Sequence, residues 1–128
     1  MTDIPTVPTG LAGSVSLTVT ADDTAVALRS GDVPVLATPR IVALAEEAAV
    51  AALSGQLDPE VTSVGVHIEL DHLRPTQVGG TVTAAATRDA VDGRKLDFTV
   101  VVLEGDVEVA RGAHRRVVAA RDAFTGGA

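Results

Sequence analysis

Two adjacent carboxylates, Glu46 and Glu47, sit in the middle of ATPRIVALAEEAA (Ala37–Ala49), a stretch that is otherwise almost entirely aliphatic. On a helix turning about 100° per residue, the apolar residues from Ile41 to Leu53 point in nearly every direction and leave no wide polar stripe. Such a helix is expected to be buried. A glutamate on it loses hydration, which it recovers through hydrogen bonds or avoids by staying protonated. Glu47 follows Arg40 by seven residues, about 20° away around the axis, so a rim salt bridge accounts for it. Glu46 points about 100° away from Glu47, where it is either satisfied by a neighbouring side chain or free to act as a general base.

Thr38, followed by Pro39 and the apolar run, has the residue type and place of a helix N-cap, although its hydroxyl could also donate to a substrate. Eight residues at about 1.5 Å rise put it about 12 Å from Glu46, too far for a direct hydrogen bond. Either the first turn departs from helix or a substrate or water lies between them. His72 shares strand parity with Val64, Val66, Ile68 and Leu70, which turns it to the apolar side as a core histidine or a proton carrier. His67 has the opposite parity and is expected to face solvent. His114, in RGAHRRVV, reads as structural or as part of a site's rim. The three histidines share no close spacing with carboxylates on one face, so no metal site is expected. GxGxxG, Walker and GxSxG motifs are absent from the sequence. Arg74, Arg94, Lys95, Arg115 and Arg116 are the cations available to a phosphorylated ligand; adjacent strand residues face opposite ways, so at most one of Arg115 and Arg116 reaches any one ligand.

The elements that must position these groups follow from periodicity. Ser14–Leu28 alternates Val and Leu against Ser and Thr and predicts a strand interrupted at Asp22 and Asp23. A helix is expected over Pro39–Ser54, stopped by Gly55. Strands follow over Thr62–His72, Gly80–Ala90, Lys95–Leu103 and Val107–Val118, with hairpin turns at Asp92–Gly93 and Gly105–Asp106. One strand, one long apolar helix and four strands joined by short turns make an α+β fold, an antiparallel sheet of about five strands wrapped around a central helix. One sheet cannot cover every side of that helix and its own edges, so a homodimer is expected.

Composition bounds the rest. The 128 residues suit a single domain over 1–128, with 1–13 and 123–128 expected to be flexible. Only Phe98 and Phe124 are aromatic and the net charge is −7, which argues against nucleic-acid binding. The absence of cysteine removes disulfides and thiol catalysis. MTDIPTVPTGLAG lacks the basic and apolar regions of a secretory signal, and no apolar run is long enough to cross a bilayer. A cytoplasmic location with no membrane partner is the expectation.

From about Ser14 to Phe124 the chain resembles the hot-dog-fold thioesterases, and within them the fluoroacetyl-CoA thioesterase-like group. The resemblance rests on LATPRIVALAEEAA, with Thr38 at the helix start and Glu46 eight positions on, and on VGVHIELDHLRPTQVGGTVT, where His72 precedes a Pro-containing turn. It implies a hot-dog fold, no cofactor beyond the coenzyme A of the substrate, and hydrolysis of an acyl-CoA or acyl carrier protein thioester. Thr38, Glu46 and His72 would be catalytic, Glu46 as general base or nucleophile. Gly65 would supply a backbone N–H near the thioester oxygen, and Arg74, Arg115 and Arg116 would be candidates for substrate contacts. Members that select the fluorinated acyl group carry aromatic side chains just upstream of the threonine; here that region reads RSGDVPVLAT and has none. A short or medium acyl group is therefore expected. The competing expectations are a non-catalytic acyl-CoA-binding module and an enoyl-CoA hydratase or dehydratase.

Overall fold

Thr20 and Asp23 decide where the first strand ends. The computed structural model describes residues 10–125. In it β1 (Ala12–Thr18) stops short of the expected Leu28, because the Asp23 carboxylate accepts from the Thr20 N–H at 2.8 Å and from its hydroxyl at 2.9 Å. This T-x-x-D capping pattern turns the chain into a 3₁₀ turn (Ala21–Asp23). Thr24 then caps a one-turn helix, α1 (Ala25–Leu28), which ends at Arg29 in the left-handed region with φ 59°. Four apolar residues, AVAL, were too short a run to distinguish strand from helix. Ala12 and Gly13, expected in a flexible arm, pair with Thr87 and Ala86. Residues 1–9 and 126–128 lie outside the described residues.

The long helix α2 (Thr38–Ala52) buries Ile41, Leu44, Ala45, Ala48, Ala49 and Ala52, a single stripe at helical spacing. The expectation of burial on nearly every side is corrected: Ala43 and Val50 are exposed, and Val42 is half-buried. Burying a large aliphatic side chain contributes about 1.5–3 kcal/mol, so Ile41 and Leu44 anchor the helix while the alanines mainly permit close approach. Gly13 shows how close: a Cβ there would strike the backbone of Ala48 and Ala52. The anchors lie between Thr38 and Glu46 and fix both.

β2 (Val61–His72), β3 (Thr81–Asp92), β4 (Lys95–Glu104) and β5 (Val107–Ala120) complete one antiparallel sheet in the order β1-β3-β4-β5-β2. The helix packs mainly against β1 and β3, over a core of Val82, Ala84, Ala86, Leu96, Phe98, Val100 and Val102. Asp92 pairs with Lys95, which moves the first hairpin turn one residue on, to Gly93–Arg94; the second falls at Gly105–Asp106 as expected. Gly93 and Gly105 take φ of 61° and 59°, the positive values such short hairpin loops require.

The decisive irregularity is in β2. Gly65 pairs with Arg116 but His67 pairs with Arg115, so Val66 is an extra residue in a β-bulge. A bulge reverses strand parity. Ile68, Leu70 and His72 face inward opposite His114, Gly112 and Ala110 as expected, but before the bulge it is Ser63 and Gly65 that share the inner face with Val118 and Arg116. Val66, expected inward, is 53% exposed.

Candidate active site

Thr38 is the first residue of α2 and not its cap. The N-cap is Ala37, which has no side chain to offer, and Pro39 occupies the first turn, where its missing N–H costs nothing. The Thr38 hydroxyl is thereby free of the helix end and lies 2.7 Å from Nδ1 of His72, at the last residue of β2. The segment before it is held in place by backbone bonds from Leu36 N–H to Thr76 and from Ala37 N–H to Asp23. Arg40 adds ion pairs to Asp23 at 3.1 Å and to Glu47 at 3.0 Å, so the expected rim salt bridge forms and extends to the 3₁₀ turn. Burial lowers the proton affinity of His72, with the Arg74 backbone opposing the shift, so the ring is favoured in its neutral form. Its Nε2 is buried and has no hydrogen-bond partner among the described residues. A hydroxyl within hydrogen-bond reach of a neutral imidazole is the pairing that activates an oxygen nucleophile or orients a water.

Two helical turns on, Glu46 faces the bulge. Its side chain is 42% exposed, so it is less buried than its apolar surroundings in sequence suggested. One oxygen, Oε2, lies 3.5 Å from Nη1 of Arg116. A Cβ on Gly65 would come within 2.5 Å of that oxygen, 3.0 Å of the His114 ring and 3.3 Å of Arg116, so the bare glycine backbone is what lets the three groups converge. Arg116 is 6% exposed and fully engaged: Nε donates to the Ser63 hydroxyl at 2.9 Å, Nη2 to the Ser63 carbonyl at 3.1 Å, and Nη1 to Nε2 of His114 at 3.1 Å. Burial lowers the Arg116 proton affinity, while the Glu46 carboxylate works against it.

The expected residues therefore gather in two corners of one chain. Thr38 with His72 forms the first, and Glu46 with Gly65 and Arg116 the second. Arg115 is not brought in: it donates to Asp97 at 2.7 Å on the other face of the sheet. Arg74 is exposed beside a surface depression shared with Leu73, Asp106 and Arg111. His67 is exposed, 3.5 Å from Glu69. Sequence reasoning missed Ser63; of its two readings of His114, structural or at a site's rim, the 2% exposure within the second corner fits the structural one. The available signal was Gly65, since a glycine inside a strand pattern marks a bulge. No group of three side chains suited to holding a metal ion occurs among the described residues.

The description of a fluoroacetyl-CoA-specific thioesterase family matches residues 19–122, the span that carries both corners. The chain belongs to that family. A fluoroacetyl-CoA thioesterase from Streptantibioticus cattleyicolor is 38% identical over 84 residues, which are 66% of this chain and 60% of that protein. A solved phenylalanine-to-alanine variant of the fluoroacetyl-CoA-specific thioesterase, in complex with fluoroacetate and CoA, is 30% identical with a TM-score of 0.85, covering 93% of this chain and 100% of its own. A hot-dog-like protein from Thermanaerovibrio acidaminovorans is 28% identical with a TM-score of 0.85, covering 94% and 89%. The expected hot-dog fold and family are both found.

Proposed function

We propose that this protein is an acyl-CoA thioesterase that hydrolyses a short or medium acyl thioester to the free acid and coenzyme A. Family membership supports the reaction class, and one observation carries it to this chain: the 2.7 Å contact between the Thr38 hydroxyl and a half-buried, neutral-favouring His72. Glu46 acts as general base on water or attacks the thioester carbonyl itself, giving a transient anhydride that water then opens. The Gly65 N–H receives the developing oxyanion. Thr38 positions the water or carbonyl, and His72, neutral at rest, relays to the departing thiolate the proton that the attacking water gives up. The Thr38–His72 hydrogen bond favours a second route, in which His72 takes the hydroxyl proton, Thr38 forms the acyl ester and water completes the cycle.

The working unit is a cytoplasmic homodimer. Support comes from the uncovered Ala43 and Val50 on α2 and from β2 and β1, the outer strands of the sheet among the described residues. An acyl carrier protein thioester is an alternative donor of the same chemistry. The segment before Thr38 offers Val33, Val35 and Leu36 and no aromatic ring, which supports an acyl group other than fluoroacetyl.

Thiol release across a panel of acyl-CoA chain lengths, with Glu46→Gln and Thr38→Ala beside the wild type, tests the proposal. Hydrolysis of at least one panel member is expected. Glu46→Gln within about threefold of wild type removes the carboxylate route. Tight binding with no turnover of any member contradicts the enzyme and favours an acyl-CoA-binding module.

A further inference from the structure

His114 is the buried imidazole of the second corner and has no part in the reaction as proposed. It stands on β5 opposite Ile68, just past the bulge, packed at 6.3 Å between ring centres against Phe98. Both ring nitrogens are engaged, and their partners fix the tautomer. Nδ1 lies 2.7 Å from the His67 carbonyl oxygen, which only accepts, so Nδ1 carries the hydrogen. Nε2 lies 3.1 Å from Nη1 of Arg116, which only donates, so Nε2 presents its lone pair. The His67 carbonyl belongs to the residue where the register of β2 resumes after Val66. The same Nη1 of Arg116 meets Glu46.

We propose that His114 is a positioning residue that joins the bulge to the charge pair: one nitrogen staples the backbone that presents Gly65, and the other holds the Arg116 guanidinium against Glu46. The arrangement is directional. Ser63 grips Nε and Nη2 of Arg116 and fixes the guanidinium plane, and His114 then sets where Nη1 points within it. The ring fills the space beside Gly65 that a side chain there would need. A second proton would set an N–H against a guanidinium N–H, and a ring without nitrogen would leave Nη1 without this acceptor; either way the Arg116 to Glu46 alignment would relax. Small displacements of such a pair are costly to a reaction that depends on near-attack geometry.

This inference rests on the thioesterase reading for its kinetic readout but not for its structural one. Three variants of the full chain separate the two bonds. His114→Asn places an N–H near the Nδ1 position, His114→Gln places an amide oxygen near Nε2, and His114→Phe keeps a ring while losing both. His114→Phe is expected to lower kcat on the best panel substrate about tenfold or more with KM within about threefold, and Asn or Gln to restore part of the loss. Independently of turnover, ¹⁵N spectra of the imidazole in the wild type are expected to show hydrogen on Nδ1 and a free Nε2 whose resonance moves in Arg116→Gln. An Nε2–H tautomer overturns the proposal, as does a folded His114→Phe with kcat within about twofold of wild type. Should His114→Phe not fold, Asn and Gln variants that both match wild-type kcat overturn it equally. A wild type that turns over no acyl-CoA sinks the thioesterase reading and leaves the tautomer test standing.

Discussion

Thr38 and His72 meet across one hydrogen bond and leave a buried ring nitrogen open, whereas Glu46, Arg116, His114 and Ser63 form a net in which both His114 nitrogens and all three guanidinium nitrogens have partners. Nε2 of His72 is a buried polar atom, whereas the second corner is held by a set of hydrogen bonds from side chains and backbone. A net in which every guanidinium nitrogen has a partner resists rearrangement and holds its charges where they are. The contrast separates two tasks. On the proposed mechanism the first corner passes a proton and the second keeps charge and backbone in place.

Removing the imidazole from the first corner has the largest expected effect. His72→Asn is expected to lower kcat by about a hundredfold to ten-thousandfold with little change in KM, the range for loss of a positioned acid or base. A loss below tenfold in steady-state hydrolysis would mean the open nitrogen is not used. Gly65→Ala probes the second corner with a smaller effect. The new Cβ comes 2.5 Å from the Glu46 oxygen, the flexible end of a half-exposed side chain that can swing away, and 3.0 Å from the His114 ring and 3.3 Å from Arg116, which must also give slightly. A fall in kcat of about tenfold to a hundredfold is expected, with about 1 kcal/mol lost in denaturant unfolding. Unchanged kcat would mean that the placement of Glu46 is immaterial.

Each corner also contributes one histidine to a shared, smaller effect on stability. Burial lowers the proton affinity of both His72 and His114 below the ordinary 6.5, opposed in His114 by the hydrogen bond to the His67 carbonyl and by the Glu46 charge and helped by the Arg116 charge. Acidification therefore protonates the unfolded chain first, and stability falls as pH drops below about 6.5. Asp23 and Asp97 are shifted down as well, by hydrogen bonds from Thr20 and Arg115, but their loss of stability begins only below about 3.8. Urea unfolding between pH 7.5 and 5 is expected to show the histidine slope, reduced in His72→Asn. A flat profile across that interval would contradict the buried neutral rings.

Periodicity and turn chemistry made most of this legible. The helix, both hairpins and four strands follow from apolar spacing and Gly-Asp pairs, and the family resemblance pointed to Thr38, Glu46, Gly65 and His72. What stayed hidden depended on single irregularities. The bulge at Val66 reversed the faces of half a strand, so Ser63 and Gly65 point inward where Val64 and Val66 were expected. The cap of α2 shifted by one residue, from Thr38 to Ala37, and that shift frees the hydroxyl for His72. The net around Arg116 joins β2, β5 and α2, and no local pattern encodes contacts among residues so far apart in the chain.

The claim on which the account turns is that both corners act on one thioester. A double-mutant cycle on kcat with Thr38→Ala, Glu46→Gln and the pair measures this directly, because groups that work as a unit lose their contributions together. The account predicts that the double variant falls about as far as the worse single one. Losses that multiply, or a single variant that leaves kcat unchanged, would contradict it.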